Sequence, residues 1–260
     1  MTMKKHIPNL LTLGNLLCGT IATIAAVNEA YVVAAVLVVL GIIFDFFDGF
    51  VARILNVSGE LGKQLDSLAD MVTSGVVPGI IMFKLLGSPR TAASNLSSSL
   101  ASDPVEHGML VFIGDTAFYL VQFVGLMLTL AACYRLANFN IDTRQSDSFI
   151  GLPTPAMSLF VISLPLIQMY AGYDFVDSMM NNTYFLIGVI LVLSYLMNAE
   201  IPLFSLKFKT FTFKENKLKY LFLMGSLVLL CLLKLIAIPL LLMSYVILSV
   251  VSNLQQRKLD

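Results

Sequence analysis

Long apolar runs alternate with short polar ones along this chain. Apolar stretches cover about 7–26, 30–49, 65–86, 109–136, the residues from Pro155 to near Ala171, and 184–202. A last stretch, Tyr220 to Val251, is too long for one crossing, and Lys234 and Pro239 divide it. About 20 apolar residues in a helix span the hydrocarbon core of a bilayer. The pattern predicts an all-α polytopic membrane protein with about eight transmembrane helices. Between the helices lie a tight turn at Asn28-Glu29, a polar loop from Arg53 to Lys63, and a Ser- and Ala-rich connector from Gly87 to Gly108. The polar stretch Arg135 to Ser148, an acidic loop from Gly172 to Asn182 and a basic loop from Lys207 to Lys219 complete them. Ile7-Pro8-Asn9 opens the first helix, where proline in the first turn is tolerated. With Lys4 and Lys5 ahead of it and no small-residue cleavage site, this segment reads as a retained helix and not a signal peptide.

Composition agrees. Of 260 residues, 58% are hydrophobic and 12% charged, against about 25% charged in ordinary globular chains. The 16 basic and 16 acidic residues cancel, so no basic field suggests nucleic acid as a partner. Cys18, Cys133 and Cys231 lie in apolar segments without CxxC spacing, and read as buried thiols, not a zinc site or a disulfide frame. His6 and His107 receive no catalytic role.

With eight crossings, thirteen of the basic residues fall on one side: Lys4, Lys5, Arg53, Lys63, Arg135, Arg144, Lys207, Lys209, Lys214, Lys217, Lys219, Arg257 and Lys258. Three fall on the other: Lys84, Arg90 and Lys234. This bias predicts a multi-pass protein of the cell (cytoplasmic) membrane with both termini in the cytoplasm. The basic loop is either a topology determinant or a contact for anionic headgroups.

Acidic residues break the apolar pattern at one place. Asp45 and Asp48, spaced i, i+3, close the second run; Asp66 and Asp70, spaced i, i+4, open the third. Either spacing puts both side chains of a pair on one helix face. Charges near hydrocarbon are costly and usually mark function. Four facing carboxylates repel and call for cations between them. Hard oxygen ligands suit two divalent ions, Mg²⁺ or Mn²⁺. Such a pair can stabilise the attacking and leaving oxygens of a phosphoryl displacement.

The full pattern is Asp45-x2-Asp48-Gly49-x2-Ala52-Arg53-x8-Gly62-x3-Asp66-x3-Asp70, eight residues fixed over 26 positions. It resembles the signature of the CDP-alcohol phosphatidyltransferases, with every fixed position present. The resemblance implies a six-helix core with two further C-terminal helices, divided here at 1–203 and 204–260. It implies metal roles for Asp45, Asp48, Asp66 and Asp70, with Asp70 also the general base on the acceptor hydroxyl. Gly49, Ala52, Arg53 and Gly62 would surround the CDP moiety, and a homodimer is expected. Physically, Gly49 and Gly62 let a nucleotide approach the backbone, and Arg53 offers a forked donor to phosphate.

Further segments bear on the acceptor. Ile7-Pro8-Asn9-Leu10-Leu11-Thr12, Gln64 to Asp70, Arg135-Leu136-Ala137-Asn138-Phe139-Asn140 and Phe149 to Ala156 resemble the bacterial and archaeal phosphatidylserine synthases of that superfamily. The resemblance implies CDP-diacylglycerol and L-serine as substrates, phosphatidylserine and CMP as products. Asn138 departs from the Arg that members often carry, which leaves Arg135 as the cation of that segment. Arg135, Asn138 and Asn140 are the candidate acceptor contacts, and Arg135 reads equally as a headgroup anchor. Thr12 and Asn15 either reach the nucleotide or bond between helices. Gly151-Leu152-Pro153 is either a turn entering the site or the start of the fifth helix. Rival readings are the same chemistry on glycerol 3-phosphate or inositol phosphate, and a cation transporter, which would carry its acids near the bilayer centre.

Overall fold

The computed structural model describes residues 6–57, 59–87, 120–141, 149–203 and 217–256. The described residues are almost all helical. We number the helices α1 (His6–Val27), α2 (Tyr31–Ile54), α3 (Glu60–Leu86), α4 (Leu120–Ile141), α5 (Thr154–Tyr170), α6 (Asp174–Met180), α7 (Thr183–Asn198), α8 (Lys217–Leu233) and α9 (Ala237–Gln256). Phe149–Ile150 (β1) and Pro202–Leu203 (β2) form a short antiparallel pair. The protein is an all-α polytopic membrane protein. Five stretches of the described residues are long and apolar enough to cross a bilayer, and a sixth arises if α6 and α7, bent by 71°, make one span. By composition 219–253 counts as one of these stretches. Yet the rings of Phe222 and Tyr245 lie 5.8 Å apart. A continuous helix would separate them by about 34 Å at 1.5 Å per residue. The stretch therefore folds back on itself at Lys234, whose φ is 49°.

The helices are sorted by size of side chain. On α1 the large residues Leu10, Leu13, Leu17, Ile21 and Ile24 are exposed, while Thr12, Asn15, Cys18, Gly19, Ala22 and Ala26 are buried. Hydrocarbon is as apolar as leucine, so association in a membrane favours small residues and polar bonds at helix contacts. α1 and α2 form a hairpin closed at Asn28-Glu29, with Glu29 in the left-handed region at φ 60°. Glu29 Oε1 meets Lys84 Nζ at 2.8 Å, which joins this turn to the far end of α3. α3 and α4 approach closely at Gly125, where a Cβ would strike the backbone of Met82 and Phe83. Thr129 Oγ1 also donates to the Gly75 carbonyl at 3.0 Å across this contact.

Several boundaries differ from the sequence expectation. Glu60 to Lys63 belongs to α3 and not to the preceding loop, which is reduced to 55–59. The stretch expected as an acidic loop contains α6. Asn182 then caps α7, its Oδ1 accepting from Phe185 N at 3.1 Å, a common way to satisfy a helix start. α4 is helical to Ile141, past the expected end at Leu136. Of the expected connector at 87–108, the start of the expected fourth span at 109–119 and the basic loop at 207–219, residues 88–119 and 207–216 lie outside the described residues, while Lys217 to Lys219 open α8 and do not belong to a loop. Gly151, at φ 72°, precedes α5 and abuts the Met197 carbonyl, so β1 ties the start of α5 to the end of α7.

Candidate active site

The acid motif occupies one end of the bundle, opposite the Glu29–Lys84 pair. α2 carries Asp45 and Asp48 in its last turns, and α3 carries Asp66 and Asp70 in its first. Five residues separate the helices, so the chain reverses tightly and the pairs face each other. Carboxylate oxygens of Asp45, Asp48 and Asp66 all lie within 4.8 Å of one another. At that distance two like charges repel by about 3.5 kcal/mol in an effective dielectric near 20. Asp48 is buried, and Asp66 Oδ1 is buried with no hydrogen-bond partner. A clustered, partly buried set of oxygens with an orphaned acceptor fits a divalent cation. Asp70 stands outside the set of three, one turn beyond Asp66 on α3, with its Oδ1 accepting from Asn15 Nδ2 at 3.1 Å.

α1 supplies the donors that hold these acids. Thr12 Oγ1 donates to Asp48 Oδ2 at 2.5 Å. Thr12 and Asn15 thus bond between helices, one to each acid pair, and Thr12 also lines the pocket described next. Thr73, just past Asp70, donates in turn to Asn15 Oδ1 at 2.8 Å. It sits in a wide π turn, Met71–Val76; such turns are frequent at functional sites. Neither the π turn nor the part played by Thr73 was visible in the sequence, where a threonine within an apolar helix carries no distinguishing pattern.

Beside the acids is a cavity of about 260 Å³. Gly49, Ala52, Arg53 and Gly62 line it together with Asp48 and Asp66. The structure thus brings all four expected CDP contacts to one pocket. Asn9 and Lys63 also line it and were not anticipated. Arg53 is exposed, and its Nε donates to the Gly49 carbonyl at 2.9 Å, so the side chain runs back along α2 toward the pocket. Lys63 pairs with Glu60 at 3.3 Å on the rim.

The three expected acceptor residues separate. Arg135 is buried, its Nη2 donates to the Gly151 carbonyl at 3.5 Å, and its Nε has no partner. Its charge and that of Asp70 attract each other. Gly151-Leu152-Pro153 leads directly into α5, with Pro153 at its N-cap, and the Gly151 carbonyl accepts from Arg135. Asn138 is exposed. Asn140 is engaged by Ser67, with Nδ2 donating to Ser67 Oγ at 2.9 Å, which joins α4 to α3 between Asp66 and Asp70.

Fold and site define a polytopic membrane protein with an acid-lined, glycine-flanked pocket at one end of its helices. The model of the CDP-alcohol phosphatidyltransferase family matches residues 5–194, and the chain belongs to that family. It is 29% identical over 163 residues to the CDP-diacylglycerol–serine O-phosphatidyltransferase of Bacillus subtilis strain 168, covering 61% of this chain and 75% of that one. To the enzyme of the same name from Helicobacter pylori strain J99 it is 30% identical over 196 residues, covering 75% and 70%. To the archaetidylserine synthase of Methanothermobacter thermautotrophicus it is 27% identical over 168 residues, covering 64% and 60%.

Proposed function

We propose that this chain transfers the phosphatidyl group of CDP-diacylglycerol to the hydroxyl of L-serine, giving phosphatidylserine and CMP. The observation that carries this reading is the convergence of Asp45, Asp48 and Asp66 beside the pocket that Gly49, Ala52, Arg53 and Gly62 line. The similarity to enzymes named for serine supports the acceptor.

Asp45, Asp48, Asp66 and Asp70 would hold two divalent cations, Mg²⁺ or Mn²⁺. When bound, the ions neutralise the diphosphate and stabilise charge on the attacking and leaving oxygens. Gly49 and Gly62 leave the backbone open to the nucleotide. Arg53 and Lys63 pair with phosphate at the pocket mouth. Arg135 pairs the serine carboxylate; Asn138 is exposed and Asn140 is engaged by Ser67, so neither is given a part in this step. Asp70 takes the proton of the serine hydroxyl through Oδ2, since Asn15 engages Oδ1. The serine oxygen then bonds to the lipid-side phosphorus as the bond from that phosphorus to the CMP oxygen breaks. CMP departs with the bridging oxygen, and the charge it gains is balanced by the proton held on Asp70.

On the same reading the protein lies in the cytoplasmic membrane with eight crossings, termini and site facing the cytoplasm, and works as a homodimer. Pro8 and Asn9 line the acid pocket. At the other terminus Asn253 Nδ2 donates to Pro202 O, next to the β1 strand that leads to Gly151. Both described ends therefore sit on the acid side, as an even number of crossings requires. The division into 1–203 and 204–260 belongs to this proposal too.

The test is CMP release by purified protein from CDP-diacylglycerol with Mn²⁺ and, in separate reactions, serine, inositol phosphate or glycerol 3-phosphate. Release that depends on serine is expected. Release with a phosphorylated acceptor and none with serine refutes the acceptor, and no release with any of them refutes the enzyme.

A further inference from the structure

Behind the acids, α1, α2 and α3 meet on four residues. Asn15 and Thr73 are fully buried, at 0% exposure. Thr73 Oγ1 donates to Asn15 Oδ1 at 2.8 Å and lies 3.2 Å from the Asn15 main-chain carbonyl. Asn15 Nδ2 donates to Asp70 Oδ1 at 3.1 Å. These bonds fix the amide in one orientation: turned over, its oxygen would face a carboxylate. The backbones are pressed together around the pair. A Cβ on Gly41 of α2 would lie 2.8 Å from Asn15 Oδ1 and 2.8 Å from Thr73 Cγ2. One on Gly19 of α1 would lie 2.9 Å from the main-chain nitrogen and Cα of Thr73. The π turn Met71–Val76 brings Thr73 to this point directly after the last acid.

We propose that Asn15 is a positioning residue for Asp70, that Thr73 holds Asn15, and that Gly19 and Gly41 are small in order to admit this relay. Asn15 engages one lone pair of Oδ1, leaving the other for a cation, and so turns Oδ2 to the acceptor hydroxyl. The inference rests on the reading of Asp70 as the base. It adds residues outside the eight-residue motif to the machinery of transfer. It also gives a purpose to the irregular turn that follows the motif.

Thr73→Val keeps the shape and removes the donor, whereas Thr73→Ser keeps the donor. Loss of an orienting partner typically lowers activity by about 10- to 100-fold. Thr73→Val and Asn15→Ala are each expected to lower kcat by that factor with KM for both substrates unchanged. Thr73→Ser should recover most of the loss. Gly41→Ala, which touches no acid, should reproduce the kinetic pattern of Asn15→Ala while the protein stays monodisperse in detergent. Placed on Asp70→Asn, Thr73→Val should cause no further loss of the residual rate. A second readout needs no turnover. In ¹⁵N-labelled protein the Asn15 side-chain amide signal, identified by its loss in Asn15→Ala, should move in both Thr73→Val and Asp70→Asn.

Wild-type kcat in Thr73→Val, or a Thr73→Ser variant as impaired as Thr73→Val, overturns the relay. So does an amide signal that Asp70→Asn leaves in place. Full turnover by Asp70→Asn would instead remove the base assignment itself, whatever Thr73→Val does.

Discussion

Thr12→Val is the substitution whose cost follows most directly from the geometry. Thr12 is 3% exposed and Asp48 is 6% exposed. The hydroxyl proton goes to Asp48 Oδ2 at 2.5 Å in preference to the neutral Pro8 carbonyl at 3.1 Å. Valine has the same shape, so no cavity opens. What is lost is one donor to a buried carboxylate. Neutral bonds between membrane helices average about 0.6 kcal/mol. Bonds to a charged group contribute about 1.5–3 kcal/mol, and that range applies here. At about 1.4 kcal/mol per factor of ten, it corresponds to a loss of about ten- to a hundred-fold in the population of correctly placed Asp48. Because Asp48 also lines the pocket proposed for the nucleotide, the loss should appear in kcat/KM for CDP-diacylglycerol. The assay is CMP release against Mn²⁺ concentration. Higher Mn²⁺ should restore part of the rate, since a bound ion offsets the missing donor. Thr12→Ser should behave nearly as the parent. If Thr12→Val matches the parent at every Mn²⁺ concentration, the Thr12–Asp48 bond does not hold the acid and the reasoning fails.

Other outcomes follow from other parts of the structure. Gly125→Ala should destabilise the protein by about 3 kcal/mol, the upper part of the range for overpacking, because the new methyl meets backbone. Thermal unfolding in detergent checks it, and an unchanged midpoint would show that α3 and α4 can part at no cost. Arg135→Met should raise KM for serine at least ten-fold with little change in KM for CDP-diacylglycerol, since breaking a charged pair in a buried site costs about 2–5 kcal/mol; equal effects on both substrates would move Arg135 off the acceptor. Glu29→Gln breaks the pair with Lys84 at the opposite end of the bundle. Partly exposed pairs contribute about 0–1 kcal/mol, so activity should not change, and a loss of rate would mean that the two ends are coupled.

The parts legible in the sequence are those that depend on helical spacing alone. Asp45, Asp48, Asp66 and Asp70 stand i, i+3 and i, i+4 apart, and a helix of any packing puts each pair on one face. The short reversal between α2 and α3 then brings the pairs together. Which faces are inside was less readable. Leu10 and Leu17 face outward while Asn15 and Thr12 face inward, and a hydropathy count cannot separate lipid from core. The π turn at 71–76 changes the phase of α3 after Asp70, so the contact between Thr73 and Asn15 does not follow from counting 3.6 residues per turn. Asp174 and Asp177 read as loop on polarity, yet both sit in the helix α6. The β1–β2 pair has two residues per strand, too few for an alternating pattern. Asn140 looked like an acceptor contact on its place in the segment, but its bond to Ser67 is set by how α4 crosses α3.

The acid cluster and its ions are the premise of everything above, and counting the ions tests it directly. Purified, substrate-free protein should bind two Mn²⁺ per chain, measured by electron paramagnetic resonance during a Mn²⁺ titration. Asp48→Asn should abolish this binding while leaving the helical circular dichroism intact. Saturable binding of two ions that persists in Asp48→Asn, or none in the parent at millimolar Mn²⁺, would contradict the account.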